Sequence, residues 1–178
     1  MSIDKIRKFV ISQKPNEYFC HVYFVYKIAL ELQQKYGGSR AVIAAAALLH
    51  DIGREINDQP HEIVGAKIAE RQLKKLKYKP EVIQQVMNCI ISHNLKTNPP
   101  KTIEEKIVAS SDGASQVIYA SAFGLLSGKE PKDKPAWILK YIEKGYRQIR
   151  LPAFKKKIKP DYLRLKEYYQ EIVREQKR

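Results

Sequence analysis

Only two cysteines, Cys20 and Cys89, occur in 178 residues, too few for the disulfide framework of a secreted scaffold. Both sit among apolar residues at helical spacing, which points to reduced thiols and a cytoplasmic chain. The opening stretch, MSIDKIRKFV, carries Asp4, Lys5, Arg7 and Lys8 and lacks the apolar run of a secretory signal. No uncharged apolar stretch approaches the ~18–20 residues that a membrane span needs. Alternating strand patterns, internal repeats and low-complexity tracts are likewise missing. Acid is scarce: 19 Asp/Glu stand against 33 Lys/Arg, for a net charge of +14. Histidine is scarcer still, and His21, His50, His61 and His93 are the whole complement.

What is present centres on residues 41–55, AVIAAAALLHDIGRE. From Ala41 to Leu49 there is no polar side chain, so the helix that this run predicts is buried on most sides. It ends in the adjacent pair His50-Asp51, whose burial unsatisfied would cost roughly 2–7 kcal/mol for each polar group. A metal ion satisfies both at once. The remaining histidines fall on helical rows too. His21 shares a face with Val25, Ile28 and Leu32, and His93 ends the row Val86, Ile90. Asp112 follows Val108 by one turn, and His61 stands beside Pro60 at a helix start. Any one of these could be a core group bonded to backbone; together they are better explained by a shared metal site. Imidazole and carboxylate donors suit Mn, Fe, Co, Ni or Zn. Cys20 adjoins His21 but points about 100° away on a helix, so it reads as packing and not as a ligand.

In these residues the chain resembles the HD-domain metal-dependent phosphohydrolases. That family's pattern is a His, an adjacent His-Asp and a distant Asp, matched here by His21, His50-Asp51 and Asp112. The string LLHDIGR is a close match to its leucine-rich helix ending in HD. Some subfamilies add two histidines for a second metal, and HEIVGAKIAERQL from His61 and IISHN around His93 look like those motifs. The likeness covers about residues 17–116. One departure is SSDGAS around Asp112, where many relatives read Ala-Asp followed by a bulky apolar residue.

The resemblance implies a compact all-α HD-type bundle and hydrolysis of a phosphomonoester or phosphoanhydride, with a nucleotide as substrate. It implies one divalent ion, or two. His21, His50, Asp51 and Asp112 would hold the first; His61 and His93 would hold a second or contact the substrate phosphate. Asp51 can also orient or deprotonate a water whose pKa an ion lowers toward ~7. Arg54 falls where the family places a phosphate-contacting basic residue; otherwise it is a surface arginine paired with Glu55 or Asp58. Those two acids are candidate proton donors, whereas Glu62 reads as solvent-facing or as a charge at a helix N-terminus. Two other readings stand beside this one: a dinuclear-iron oxygenase, since all six ligands are present, and a non-catalytic nucleic-acid-binding module.

The predicted elements are all helical. One helix covers 3–13, and the His21 helix covers 16–36 up to Gly37-Gly38. Ser39 caps the His50 helix, Pro60 opens 60–76 and Pro80 opens 80–93. Thr102 with Glu105 makes a capping box for a helix from 102 to about 126. Residues 1–127 form the metal-binding helical domain. A connector, SGKEPKDKP, leads to a basic helical extension, residues 128–178, with 16 Lys/Arg against 7 Asp/Glu. Trp137, Ile138, Tyr141, Ile142 and Gly145 share one face and Tyr162, Leu165, Tyr168, Tyr169 and Ile172 another. Both read as docking surfaces against the core and not as base-stacking platforms. Arg147–Arg150 and Lys155-Lys156-Lys157 are either a phosphate or nucleic-acid surface or a solvated basic face.

Overall fold

The computed structural model describes residues 3–54, 60–93 and 98–176, and among these every regular element is helical. In order they are α1 (Ile3–Gln13), α2 (Pro15–Glu17), a π-helical turn (Tyr18–Val22), α3 (Tyr23–Tyr36), α4 (Arg40–Leu49), α5 (His61–Lys75) and α6 (Pro80–Ser92). Then come α7 (Ile103–Ile118), α8 (Ala120–Leu126), α9 (Lys134–Gln148) and α10 (Pro152–Glu175). No helix among the described residues is long and apolar enough to cross a membrane.

The fold is built around α4. Ser39 caps it, its hydroxyl accepting from Val42 N, and every residue from Val42 to Leu49 is buried. Alanines at 44–47 keep its surface shallow, so helices approach it from opposite sides. Val42, Ala45, Ala46, Leu48 and Leu49 join Ile6 and Val10 of α1, Ala69 and Leu73 of α5, and Val86 and Ile90 of α6 in one apolar cluster. Ile43 and Ala47 face a second cluster that includes Val25 and Ile28 of α3, Ile107 of α7, and Ile142, Ile149 and Ile158 from the C-terminal part. Each large aliphatic side chain fully buried contributes about 1.5–3 kcal/mol relative to exposure. Removing α4 therefore removes the common wall of both cores.

Two predicted helices are each interrupted. The stretch 16–36 contains a π-helical turn at Tyr18–Val22, which inserts an extra residue just where His21 leaves the backbone. The stretch 102–126 breaks at Tyr119 (φ −109°, ψ 23°), so α7 and α8 change direction there. The Thr102 hydroxyl accepts from Glu105 N at 3.3 Å, while the Glu105 carboxylate reaches back to Lys101 N at 2.7 Å, one residue beyond a standard capping box.

Candidate metal centre and cleft

His50 occupies the C-cap of α4 and His93 the C-cap of α6. The same local device orients both. A helix leaves its last carbonyls without intrahelical partners, and each imidazole turns back to satisfy one of them. His50 Nδ1 donates to Ala47 O at 2.9 Å and His93 Nδ1 donates to Ile90 O at 2.5 Å. A carbonyl can only accept, so the proton lies on Nδ1 and Nε2 is turned to the interior. His21 Nδ1 lies 3.4 Å from Ser115 Oγ, whose own proton goes to Asp112 O at 2.8 Å. His61 Nδ1 lies 3.5 Å from the carboxylate of Glu62. All four rings thus have Nδ1 held and Nε2 pointing inward.

Those Nε2 atoms form two pairs. His21 and His50 are 3.1 Å apart at Nε2, and His61 and His93 are 3.4 Å apart. Asp51 lies between them. Its Oδ2 is 3.4 Å from both His21 and His50 Nε2, and its Oδ1 is 3.4 Å from His61 and 3.5 Å from His93. Asp112 Oδ1 closes the first group, 3.1 Å from His21 and 3.9 Å from His50. All six residues singled out in the sequence as donors converge here.

A short turn brings His61 back to the HD pair. Ile52 N bonds Leu49 O at 3.1 Å and Arg54 N bonds Asp51 O at 3.0 Å. Gly53 then lies so near the start of α5 that a Cβ there would collide with His61 O and Gly65 N. Only a residue without a side chain permits that approach. Glu62 is buried in the first turn of α5, so the solvent-facing reading is corrected: its carboxylate faces His61 across the helix start.

The electrostatics are set by burial and opposed charge. Burial alone would lower the His21 pKa, but hydrogen bonds to Asp112 and Asp51, with their charges, outweigh it and raise it to about 9. Burial would raise the Asp51 carboxyl, yet the charges of His50 and Arg54 and hydrogen bonds from His21 and His50 hold it well below the usual range. Asp112 is lowered in the same way, chiefly by His21. Arg54 lies with Nε 2.6 Å from Asp51 Oδ2, so it pairs with the ligand set. Glu55 and Asp58, its alternative partners and the candidate proton donors, lie outside the described residues.

The C-terminal part enters the site directly. Gln148 of α9 donates through Nε2 to Asp112 Oδ2 at 2.5 Å and to His93 O at 2.9 Å. Gln116 Nε2 donates to Asp112 Oδ1 at 3.2 Å. Gln148 continues the stripe Ile138, Ile142, Gly145, and a buried glutamine three residues past a glycine on that row was the available signal for it. SSDGAS also finds its reason: Gly113 and Gly145 are the crossing point of α7 and α9, where a Cβ on Gly113 would collide with Gly145 O. A bulky residue after Asp112 would force the helices apart. A cleft of about 300 Å³ opens over this centre, lined by His21, Asp51, Arg54, Cys20, Phe123, Trp137, Tyr141 and Lys144 among others. Trp137 and Tyr141 are therefore half-buried cleft residues, which corrects the reading of that face as docking surface alone; Ile138, Ile142 and Gly145 do the docking. Cys20 faces the same cleft.

The residues fit a cation. Asp51 Oδ1 is buried and makes no hydrogen bond among the described residues, and two ring nitrogens aim at it. His21, His50 and Asp51 form one group able to hold a metal ion, and Asp51, His61 and His93 another.

The family model of the HD domain matches residues 18–115. A tRNA (cytidine(56)-2′-O)-methyltransferase from Picrophilus torridus is 38 % identical over 108 residues, covering 52 % of this chain and 29 % of that protein. An uncharacterized protein from Clostridium beijerinckii is 32 % identical over 70 residues, covering 38 % of this chain and 45 % of that one. The chain thus spans less than half the length of either relative. Among solved structures, an HD-superfamily hydrolase from Bacillus thuringiensis superposes with a TM-score of 0.70 at 21 % identity, covering 97 % of this chain and 95 % of that one. The two share their fold.

Proposed function

The chain belongs to the HD-domain family, and on that footing we propose that it is a metal-dependent phosphohydrolase acting on a phosphomonoester or phosphoanhydride of a nucleotide. The observation that carries this reading is the division of Asp51: one buried carboxylate with two inward-facing imidazoles on each oxygen, under a cleft with cations on its wall. His21, His50, Asp51 and Asp112 would hold one divalent ion of the Mn, Fe, Co, Ni or Zn type; His61 and His93 with Asp51 would hold a second. Bound there, the metal supplies Lewis acidity, lowering the pKa of water toward ~7 and drawing charge from a phosphoryl oxygen.

The protein's own residues do the rest. Arg54 and Lys144 attract and orient the substrate phosphate, Arg54 by exchanging its pairing with Asp51 for the anion. The hydrogen bonds from Gln148 and Gln116 keep the Asp112 carboxylate fixed, and Ser115 fixes the His21 ring. Tyr141, whose phenol is raised by burial and by the charges of Asp112 and Asp51, stays a neutral hydroxyl able to donate to a phosphate oxygen. Phosphate release from purified protein across nucleotides, with several divalent metals, tests the proposal; no release with any metal would overturn it.

The gathered His61–His93 pair also supports a second reading, a dinuclear-iron oxygenase. Oxygen consumption by the anaerobically iron-loaded protein, without phosphate release, would favour it. Metal stoichiometry decides whether it can stand. A plateau at one ion, unchanged in His61→Ala and His93→Ala, would remove the second ion and the oxygenase with it.

A further inference from the structure

Helix α9 carries two kinds of side chain on its inner face, and only one kind is needed to hold the helix in place. Ile138 and Ile142 are buried against α7 and α8, whereas Trp137 and Tyr141 stand half-buried in the wall of the cleft. Their rings are stacked, with centroids 4.7 Å apart and planes at 15°. Tyr141 meets Phe123 edge-on at 5.4 Å, and Phe123 meets the His21 ring edge-on at 5.4 Å. A continuous run of aromatic rings therefore leads outward from the metal centre. The cations are placed differently: Arg54 is on Asp51, and Lys144 borders both the cleft and the small hollow beside His61 and His93.

We propose that Trp137 and Tyr141 form the base-binding wall of this cleft, so that the substrate is a nucleoside phosphate stacked on α9 with its phosphate at Arg54 and Lys144. This rests on the phosphohydrolase reading above for the reaction, but not for the binding. A cleft of about 300 Å³ is at the lower end of small-ligand sites. It suits a single nucleotide. Stacking on an aromatic side chain is tolerant of base identity because every base presents a π-face, so discrimination among bases is weak and discrimination against a base-free phosphate is strong. Trp137, Tyr141 and Lys144 lie outside the residues 18–115 matched by the family. The wall thus stands on helix α9, beyond the matched domain.

Trp137 is the single tryptophan in the chain, so its emission reports on the wall without interference. The full-length protein, treated with chelator to prevent turnover, is titrated with a nucleoside monophosphate and with the matching sugar phosphate that lacks the base. The proposal expects saturable quenching by the nucleotide and none by the sugar phosphate. With metal restored, the wild-type preference for nucleotide over sugar phosphate in kcat/KM is roughly ten- to hundred-fold, the range for loss of one stacked base. It should collapse toward unity in Trp137→Ala and be partly kept in Trp137→Phe, which also controls for folding. Unquenched emission at saturating nucleotide, equal quenching by both ligands, or an undiminished preference in Trp137→Ala would overturn the wall. Base-dependent quenching without phosphate release from nucleoside mono-, di- or triphosphates with any of the metals would uphold the wall and overturn the phosphohydrolase reading.

Discussion

The two oxygens of Asp51 face different partners, and Arg54 competes for one of them. With Nε 2.6 Å from Asp51 Oδ2, the guanidinium joins the imidazoles of His50 and His21 in compensating a buried carboxylate. The side chain remains 38 % exposed, so it can swing toward an anion in the cleft without leaving water. Arg54→Ala should therefore retain bound metal, because no donor atom is removed, while kcat/KM falls by roughly 10²-fold or more, as for removal of a preorganised charge-stabilising group. Elemental analysis beside steady-state kinetics separates the two effects; metal loss in the variant would make Arg54 part of the metal's support instead. The cysteines give a second test at this scale. Cys89 is 1 % exposed and burial, then the charges of Glu105 and Glu104, push its thiol up, whereas Cys20 is half-buried on the cleft. Thiolate, not thiol, reacts. A thiol reagent should titrate one group in the native protein and two after unfolding, and a nucleotide filling the cleft should slow the first.

Among elements, the crossing of α7 and α9 decides how well Asp112 is held. Gly113 and Gly145 bring the backbones together, and Gln148, three residues past Gly145, then reaches Asp112 and His93 O. In Gly145→Ala the new Cβ would stand 2.5 Å from Gly113 O and 2.6 Å from Gln116 Cβ. Backbone must move, at a cost typical of overpacking, about 1–3 kcal/mol. The denaturation midpoint should fall, and metal affinity with it, because Gln148 is withdrawn. Gln148→Ala lacks the steric clash and should lower metal affinity with a smaller loss of stability; wild-type affinity in both variants would show that Asp112 needs no support from α9. This is also where the sequence stops being legible. Apolar spacing and caps locate the helices, and the coincidence of His21, His50-Asp51, His61, His93 and Asp112 with those rows singles out the residues that converge. The π-helical turn at Tyr18–Val22 and the break at Tyr119 leave no mark in a periodicity read over whole helices. Glu62 sits at a helix start, where a carboxylate is normal, and only the fold turns it inward toward His61. The cleft position of Trp137 and Tyr141 is fixed by α8 and by the packing of Gly113 on Gly145, both set by residues distant in sequence.

For the whole molecule, charge and packing assign the C-terminal helices different duties. Of the net +14, residues 128–178 carry 16 Lys/Arg against 7 Asp/Glu. Lys155 lies 4.9 Å over the Tyr146 ring, while Lys156, Lys157 and Lys159 are exposed. If this face binds RNA, replacing those three lysines by glutamine should weaken binding and flatten its salt dependence. The log–log slope should drop by about 0.7 for each phosphate of a single strand that is no longer neutralised. An unchanged slope would leave the run a solvated face.

The same helices also complete the core. Val25 and Ile28 of α3 and Ile107 and Val117 of α7 are buried in the cluster that contains Ile138, Ile142, Ile149, Leu151 and Ile158. Cutting the chain at residue 127 would remove α9 and α10 from α7, against which both pack, and open that side of the cluster to water. At about 1.5–3 kcal/mol for each large aliphatic side chain fully uncovered, losing the cover of two or three costs several kcal/mol. Whole domains are stable by only about 5–15 kcal/mol. The truncation would remove Gln148 from Asp112 as well. Residues 1–127 alone should therefore keep much of their helical circular dichroism, which local propensity and the α1–α4–α6 cluster support. They should lose a sharp cooperative melt, expose apolar surface to a hydrophobic dye and fail to retain metal. A cooperative transition with metal bound would show instead that α1–α8 fold and build the centre unaided, and that α9 and α10 only cover it.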